Sequence, residues 1–288
     1  MKRTALLVLL ALSVVACKNS KEEKATESTS TEVATSNERI VSLSGAITET
    51  LVDLGQRNNI VGIDITSTYP ADMNTTATQL EHVNKINIEA LMALKPTLIY
   101  IAKKDLNDNL KKQLESANIK LVVIDQDFSI EGTKALIKDV ATSLNLTDYE
   151  GLVAKIDQDK AQLKTLENKP KVLFIYARGA ANLFVAGDKT PMQNIIELAG
   201  GQNAVTGFDD FKPLTPEALL NSNPDYILMF DTGLQSMGGI DGVLKIEGLD
   251  RTNAGKNKKI IAMDGLLLTG FTPRVGTAVT QLNQHLSE

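Results

Sequence analysis

Tryptophan is absent from this 288-residue chain, cysteine occurs once and histidine twice. One cysteine excludes an intramolecular disulfide framework. Three thiol or imidazole groups in all are too few for zinc-finger modules or an all-protein Cys/His metal cluster. Positive charge is not in excess either: 30 Lys and Arg stand against 35 Asp and Glu, a net of −5. An acidic chain without a basic block lacks the electrostatic footprint of a nucleic-acid binder. Glycine (19) and proline (8) are too few for a collagen-like or low-complexity chain. The remainder, 43% hydrophobic and 23% charged, is ordinary globular composition, long enough for one large domain or two smaller ones.

The one long apolar run opens the chain. Met1-Lys2-Arg3 is a short positive region, and Thr4 to Val15 is too short to span a bilayer, so residues 1–16 read as a signal peptide. Val14-Val15-Ala16-Cys17 resembles a bacterial lipobox, which implies cleavage before Cys17 and lipidation of its sulfur. An anchor of several acyl chains holds stably, at about 0.8 kcal/mol per buried CH₂. Residues 17–38, with almost no large apolar side chain and no periodicity, are expected to form a disordered tether. The expected location is therefore extracytoplasmic, on the periplasmic side, tied to a membrane by lipid.

From Arg39 the pattern becomes regular. Short apolar runs at 39–43, 59–64, 97–102 and 119–125 read as buried strands, and they alternate with helix-spaced stretches at 46–55, 87–96 and 106–118. Residues 131–168 hold no strand-like run and read as one or two helices, with a break near Asn145-Leu146-Thr147. The alternation resumes with strands at 171–177, 225–230 and 259–264 and helices at 191–200 and 215–224. An internal repeat organises all of this. N-I-E-A-L-M-A-L-K-P at 87–96 matches T-P-E-A-L-L-N-S-N-P at 215–224, with Glu89 and Glu217, and Pro96 and Pro224, each 128 residues apart. The expected fold is α/β: two Rossmann-like lobes with parallel-type sheets, at 39–130 and 170–288, joined by a helical segment at 131–169. The ligand cleft then lies between the lobes. A single connecting rod predicts modest closure.

Catalytic patterns are scarce. Asp231-Thr232-Gly233 is like an aspartic-protease turn, but the second turn such enzymes need is missing. A hydrolase using Asp231 or Asp264 would lack a visible base or nucleophile, so a binding protein with no catalytic cofactor is the better expectation. In α/β folds ligands meet the carboxyl ends of the strands. The loops there are 66–70, 81–85, 177–180 and 264–274.

Six segments carry a family resemblance: RIVSLSGAITET (39–50), VGIDITSTYP (61–70), EALMALKP (89–96), AGGQNAVTGFDDFKPLTPEALL (199–220), GLQSMGGIDGVLKIEGL (233–249) and AMDGLLLTGFTPR (262–274). Together they resemble the substrate-binding lipoproteins of haemin ABC importers, within a helical-backbone superfamily that also serves cobalamin and ferric siderophores. The resemblance implies an iron-acquisition protein that binds haem and docks on a permease dimer with its ATPase subunits, itself a monomer. Cobalamin or a ferric siderophore is the alternative ligand, and the lack of tryptophan disfavours it. Haemin binders often place an axial tyrosine just before the EALxxLKP helix, in a V-G-Y-x-[RK] segment. Seven residues before Glu89 this chain has His82, itself a good haem-iron ligand. His82 is thus the expected axial ligand, with Tyr69 competing and a surface histidine the plain alternative. Arg178 and Arg274 are expected at the propionates, Arg274 being equally suited to a structural ion pair. Met263, Leu266, Leu267 and Phe271 are candidate porphyrin walls or, equally, core. Glu89 and Glu217, one per lobe, would dock on permease arginines or merely complement their helix dipoles.

Overall fold

The computed structural model describes residues 38–117 and 119–288. The signal peptide, Cys17 and the tether as far as residue 37 lie outside the described residues. In the first lobe β1 (Ile40–Ser42), α1 (Gly45–Asp53), β2 (Ile60–Ile63), β3 (Thr78–Gln79), α2 (Ile88–Ala93), β4 (Leu98–Ala102), α3 (Asp108–Ser116) and β5 (Lys120–Ile124) follow one another. The strands form one parallel sheet in the order β3-β2-β1-β4-β5. β4, Leu-Ile-Tyr-Ile-Ala, is buried along its whole length, as a strand covered by helices on both faces must be.

The segment expected to be helical holds α4 (Ile130–Ser143) and α5 (Glu150–Lys160), interrupted at 144–149. The two have different jobs. Leu136 and Val140 of α4 pack into the core under the first sheet, whereas its Ile130 and Ile137 pack into the core of the second. Each such fully buried side chain contributes about 1.5–3 kcal/mol, so α4 is held by both lobes at once. α5 belongs with the second lobe. Asp159 accepts from Thr277 Oγ1 at 2.8 Å, and its carbonyl accepts from Thr280 Oγ1 at 2.9 Å.

The second lobe runs β6 (Lys171–Ala177), β7 (Leu183–Ala186), α6 (Pro191–Leu198), β8 (Gln202–Asn203), β9 (Phe211–Pro213), α7 (Pro216–Ser222), β10 (Tyr226–Phe230), α8 (Asp231–Ser236), α9 (Ile240–Val243), α10 (Asn253–Asn257), β11 (Ile260–Met263), α11 (Gly265–Thr269) and α12 (Val275–Leu286). Its sheet, β11-β10-β6-β7-β9 with β8 beside β6, is mixed, not purely parallel. Gly179, at φ 75°, lets the chain turn straight back after β6, so β7 pairs antiparallel and leaves no room for a crossover helix. Asp231-Thr232-Gly233, which in sequence is like an aspartic-protease turn, is the start of α8.

The repeat is exact in register. β4 and β10 begin and end 128 residues apart, at 98 to 102 and 226 to 230. Each pairs with the central strand of its lobe, Ile40 opposite Leu98 and Val172 opposite Tyr226. Short polar caps start the preceding helices. Asn87 Oδ1 accepts from Ala90 N at 3.0 Å, and Thr215 Oγ1 from Ala218 N at 3.1 Å.

Candidate functional site

The lobes approach closely at Gly45, the first residue of α1. A Cβ there would run into the Thr66 carbonyl and lie 2.8 Å from Leu266 Cδ1 of the second lobe. Beside this contact is a cavity of about 170 Å³. Asp64, Thr66, His82 and Lys104 line it from the first lobe, Gln126 and Phe128 from the segment after β5, and Leu266, Thr269 and Gly270 from the second lobe. It sits at the carboxyl ends of β1, β2 and β5, where this class of sheet places ligands.

Its polar floor is built, not incidental. Asp64 is almost wholly buried and accepts from Thr66 Oγ1 at 2.8 Å and Ser67 Oγ at 3.0 Å. The Thr66 hydroxyl in turn accepts from Gly45 N at 2.9 Å, which ties the start of α1 to the loop after β2. Thr48 Oγ1 lies 2.7 Å from Ser67 Oγ and donates to Ser42 Oγ at 2.8 Å, so a chain of hydroxyls continues inward. Burial pushes the Asp64 carboxyl up, while the Thr66 and Ser67 hydroxyls and the nearby His82 pull it back down.

His82 is half-buried in the cavity wall and caps the short turn 83–85. Its Nδ1 accepts from Asn84 N at 3.3 Å. In that tautomer the proton of the neutral ring is on Nε2. An iron bond at either nitrogen therefore gives up the cap: at Nδ1 it replaces the Asn84 N–H, and at Nε2 it moves the proton to Nδ1.

The other sites expected from the sequence separate into groups. Arg178, exposed, joins Tyr176 and not the cavity. Its Nε donates to the Tyr176 hydroxyl at 2.6 Å, and its guanidinium lies 5.4 Å from the ring centre. The half-buried Tyr176 also meets Phe230 at 5.9 Å and Phe211 at 6.4 Å, centroid to centroid. Tyr69 and Arg274 are brought together elsewhere, the guanidinium 3.5 Å from the centre of the ring. Arg274 spends its fork on Glu49: Nε donates to Oε1 and Nη2 to Oε2, each at 2.8 Å. Of the two roles open to Arg274, the structure gives it the ion pair.

Among the four candidate walls only Leu266 lines the cavity. Met263, Leu267 and Phe271 are buried in the core of the second lobe, because β11 and α11 turn these positions toward α6 and α12. Phe128 takes the wall role instead and is backed by Phe271 at 5.6 Å. Tyr176 is a functional candidate that the sequence pattern conceals, because it lies inside an apolar run with the character of a core strand. The spacing Tyr-x-Arg is the available signal, since alternate residues of a strand share a face.

Glu89 and Glu217 are exposed and occupy the same place, the second residue after the caps Asn87 and Thr215. Asp264 caps α11 by accepting from Leu267 N at 2.8 Å, and Asp231 is exposed at the start of α8. Among the described residues no cluster of three or more His, Cys, Asp or Glu side chains could hold a metal ion, and no helix is long and apolar enough to cross a membrane.

Comparison with known proteins places this geometry in context. The sequence profile described as "periplasmic binding protein" matches residues 40–266. The solved apo structure of the periplasmic heme-binding protein RhuT from Roseiflexus sp. RS-1 is 36% identical, covers 87% of this chain and 98% of its own, and superposes with a TM-score of 0.82. The periplasmic heme-binding protein BhuT, solved with two hemes, is 32% identical over 87% of this chain and 98% of its own, at a TM-score of 0.81. The high-affinity heme uptake system protein IsdE of Staphylococcus aureus (strain Newman) is 27% identical over 247 residues, 81% of this chain and 78% of its own.

Proposed function

The chain belongs to the periplasmic binding protein family, and on that premise we propose that it captures haem outside the cytoplasm and passes it to an ABC importer. The observation that carries this reading is an imidazole in the wall of the cavity between the lobes, His82, on a short turn that it caps itself. Imidazole and phenol oxygen are both proven haem-iron donors. Tyr176, at the carboxyl end of the central strand of the second lobe, offers the second kind, with Arg178 holding its hydroxyl. The names of the relatives described above, two heme-binding proteins and a protein of a heme uptake system, support the same ligand here.

His82 binds the iron after releasing Asn84. Phe128 and Leu266 supply apolar contact for the macrocycle. Arg178 and Lys104 are the cations for the propionates: Arg178 has guanidinium nitrogens beyond the one on Tyr176, and Lys104 stands at the cavity edge, 4.5 Å from the Phe128 ring centre. Arg274 is not assigned to the ligand. The cavity of about 170 Å³ is smaller than the roughly 300–1,000 Å³ of ordinary small-molecule sites, so the macrocycle occupies the cleft mouth and entry parts the loops around His82. Cys17 is the lipidation site and residues 17–38 the tether. Glu89 and Glu217 dock one on each half of the permease dimer, and the protein acts as a monomer.

A haemin titration of the purified chain, followed in the Soret region, tests the reading. The parent shows a saturable, sharpened band. His82→Ala loses roughly a hundredfold in affinity, about 2.7 kcal/mol, Tyr176→Phe changes the band position, and Tyr69→Phe changes neither. No saturable change in the parent overturns the haem assignment. Loss in Tyr69→Phe alone keeps haem and overturns the site. Glu89→Ala with Glu217→Ala leaves the titration as it is and removes stimulation of the transporter ATPase.

A further inference from the structure

Glu49 lies on α1 of the first lobe and is fully buried, yet it is a carboxylate. All three groups that hydrogen-bond to it come from the segment leading into α12 of the second lobe or its side chains. Arg274 Nε and Nη2 grip its two oxygens at 2.8 Å, and Thr272 Oγ1 donates to Oε1 at 2.8 Å. The guanidinium is also stacked at 3.5 Å from the ring centre of Tyr69, back in the first lobe. The same segment is fastened at two further points. Gln126 Nε2 donates to the Gly270 carbonyl at 2.7 Å, and Thr133 Oγ1 to the Phe271 carbonyl at 3.0 Å.

We propose that Glu49, Arg274 and Tyr69 form an inter-lobe clasp that fixes the angle of the cleft, which makes Arg274 a positioning residue for the ligand site and not a contact of the ligand. Burial alone does not explain the choice of residues. A well-packed apolar pair of similar volume stabilises a core as well as a buried ion pair does, and often better. What the apolar pair lacks is direction. A carboxylate met by two parallel N–H groups accepts only one approach, and a planar cation stacked on a ring fixes the remaining rotation. Lysine can supply the charge but neither the fork nor the plane. Arg274 uses both features at once, one toward α1 and one toward the loop after β2. These two elements carry Gly45 and Thr66, which are hydrogen-bonded to each other, and Gly45 lies against Leu266 of the second lobe. The clasp therefore sets the gap at the edge of the cavity that His82 lines. Its consequence for the ligand rests on the haem reading, whereas the angle itself does not.

The test places spin labels at Lys112→Cys and Lys245→Cys, one exposed site per lobe, in the full chain with Cys17→Ser. The inter-label distance distribution is read without ligand. The double variant Glu49→Leu with Arg274→Met, which leaves no charged group at the clasp, broadens the distribution. It also speeds haemin dissociation by about tenfold, with the association rate little changed and the Soret maximum where the parent has it. Arg274→Lys broadens the distribution too, although the buried carboxylate keeps a counter-charge, and it tests the clasp equally well should the double variant not fold. An unchanged distribution in a folded variant overturns the clasp. A displaced Soret maximum overturns the statement that Arg274 does not touch the ligand. If the parent binds no haemin the haem reading fails, and the ligand-free distances still test the clasp.

Discussion

The two lobes share a buried unit and differ at their rims. In each, a polar cap, a short helix with an acidic second residue and a buried five-residue strand follow at the same spacing, and the strand lies against the central strand of its sheet. Beyond that unit the lobes diverge. The first has a purely parallel sheet and offers His82 from an irregular stretch of short turns between β3 and α2. The second adds antiparallel β7 and β9 and offers Tyr176 from the end of a seven-residue strand, among Phe174, Phe211 and Phe230. The core uses the repeated part, and the candidate donors of the proposed site lie in the parts that do not repeat. The candidate donor of the first lobe sits on a self-capped turn, and that of the second on a strand held by its ladder.

The harshest way to break the comparison is to uncouple the halves. Arg274→Ala leaves the Glu49 carboxylate buried without its counter-charge. Breaking such a pair costs about 3 kcal/mol or more, even though Arg274 keeps 22% of its side chain exposed. Urea unfolding followed by circular dichroism should show that loss and, with the clasp gone, a broader transition as the two lobes begin to melt separately. A loss below about 1 kcal/mol would mean that the pair is energetically idle.

A finer probe compares the two caps. Asn87→Ala and Thr215→Ala each remove one side-chain acceptor from a helix start, worth about 1 kcal/mol. The equivalence is not complete, because Pro216 follows Thr215 and its fixed φ already prepares the first helical residue. Asn87→Ala is therefore expected to lower the melting temperature more than Thr215→Ala. The reverse order would show that the cap in the second lobe carries a load that the repeat does not predict.

How far the sequence foretells this molecule follows the same division. β4 and β10 are readable because a strand buried on both faces must be a continuous apolar run, and the repeat fixes their offset. β7 and β9 are not, since four- and three-residue strands next to a turn carry too little pattern. His82 stands out by its place before a recognisable helix, and the structure does put it in the cavity wall. Tyr176 is hidden because a strand residue with its hydroxyl facing Arg178 reads, in one dimension, as another apolar position. The partner of Arg274 is beyond reach: Glu49 is 225 residues away, and on the side of α1 opposite Ile47, Leu51 and Leu54 it reads as an ordinary solvent-facing charge. Met263, Leu267 and Phe271 fail as wall candidates for a related reason. Hydrophobicity says that a side chain is buried, not which of two adjoining spaces receives it.

The gentlest test concerns Asp53, one turn beyond Glu49 at the end of α1. Burial around it, and then the negative charge of Glu49, push its carboxyl up to about 6 from an ordinary 3.8, while Arg274 pulls the other way. The folded state thus holds this proton more tightly than the unfolded chain does. Asp53 favours folding fully below about pH 4, and that contribution is lost as the pH rises through about 6. Asp53→Asn removes the titration while keeping the shape. It should raise the melting temperature at neutral pH and leave it nearly unchanged near pH 3, below the ordinary 3.8, where the parent is largely protonated in both states. The gain is small, because the side chain is partly open to solvent and its charge is screened. An equal gain at both pH values would show that the substitution acts through packing or helix propensity. A gain confined to neutral pH would mean that the first lobe tolerates a second, unfavourable carboxylate beside its buried one, a strain that the Arg274 contact reduces without removing it.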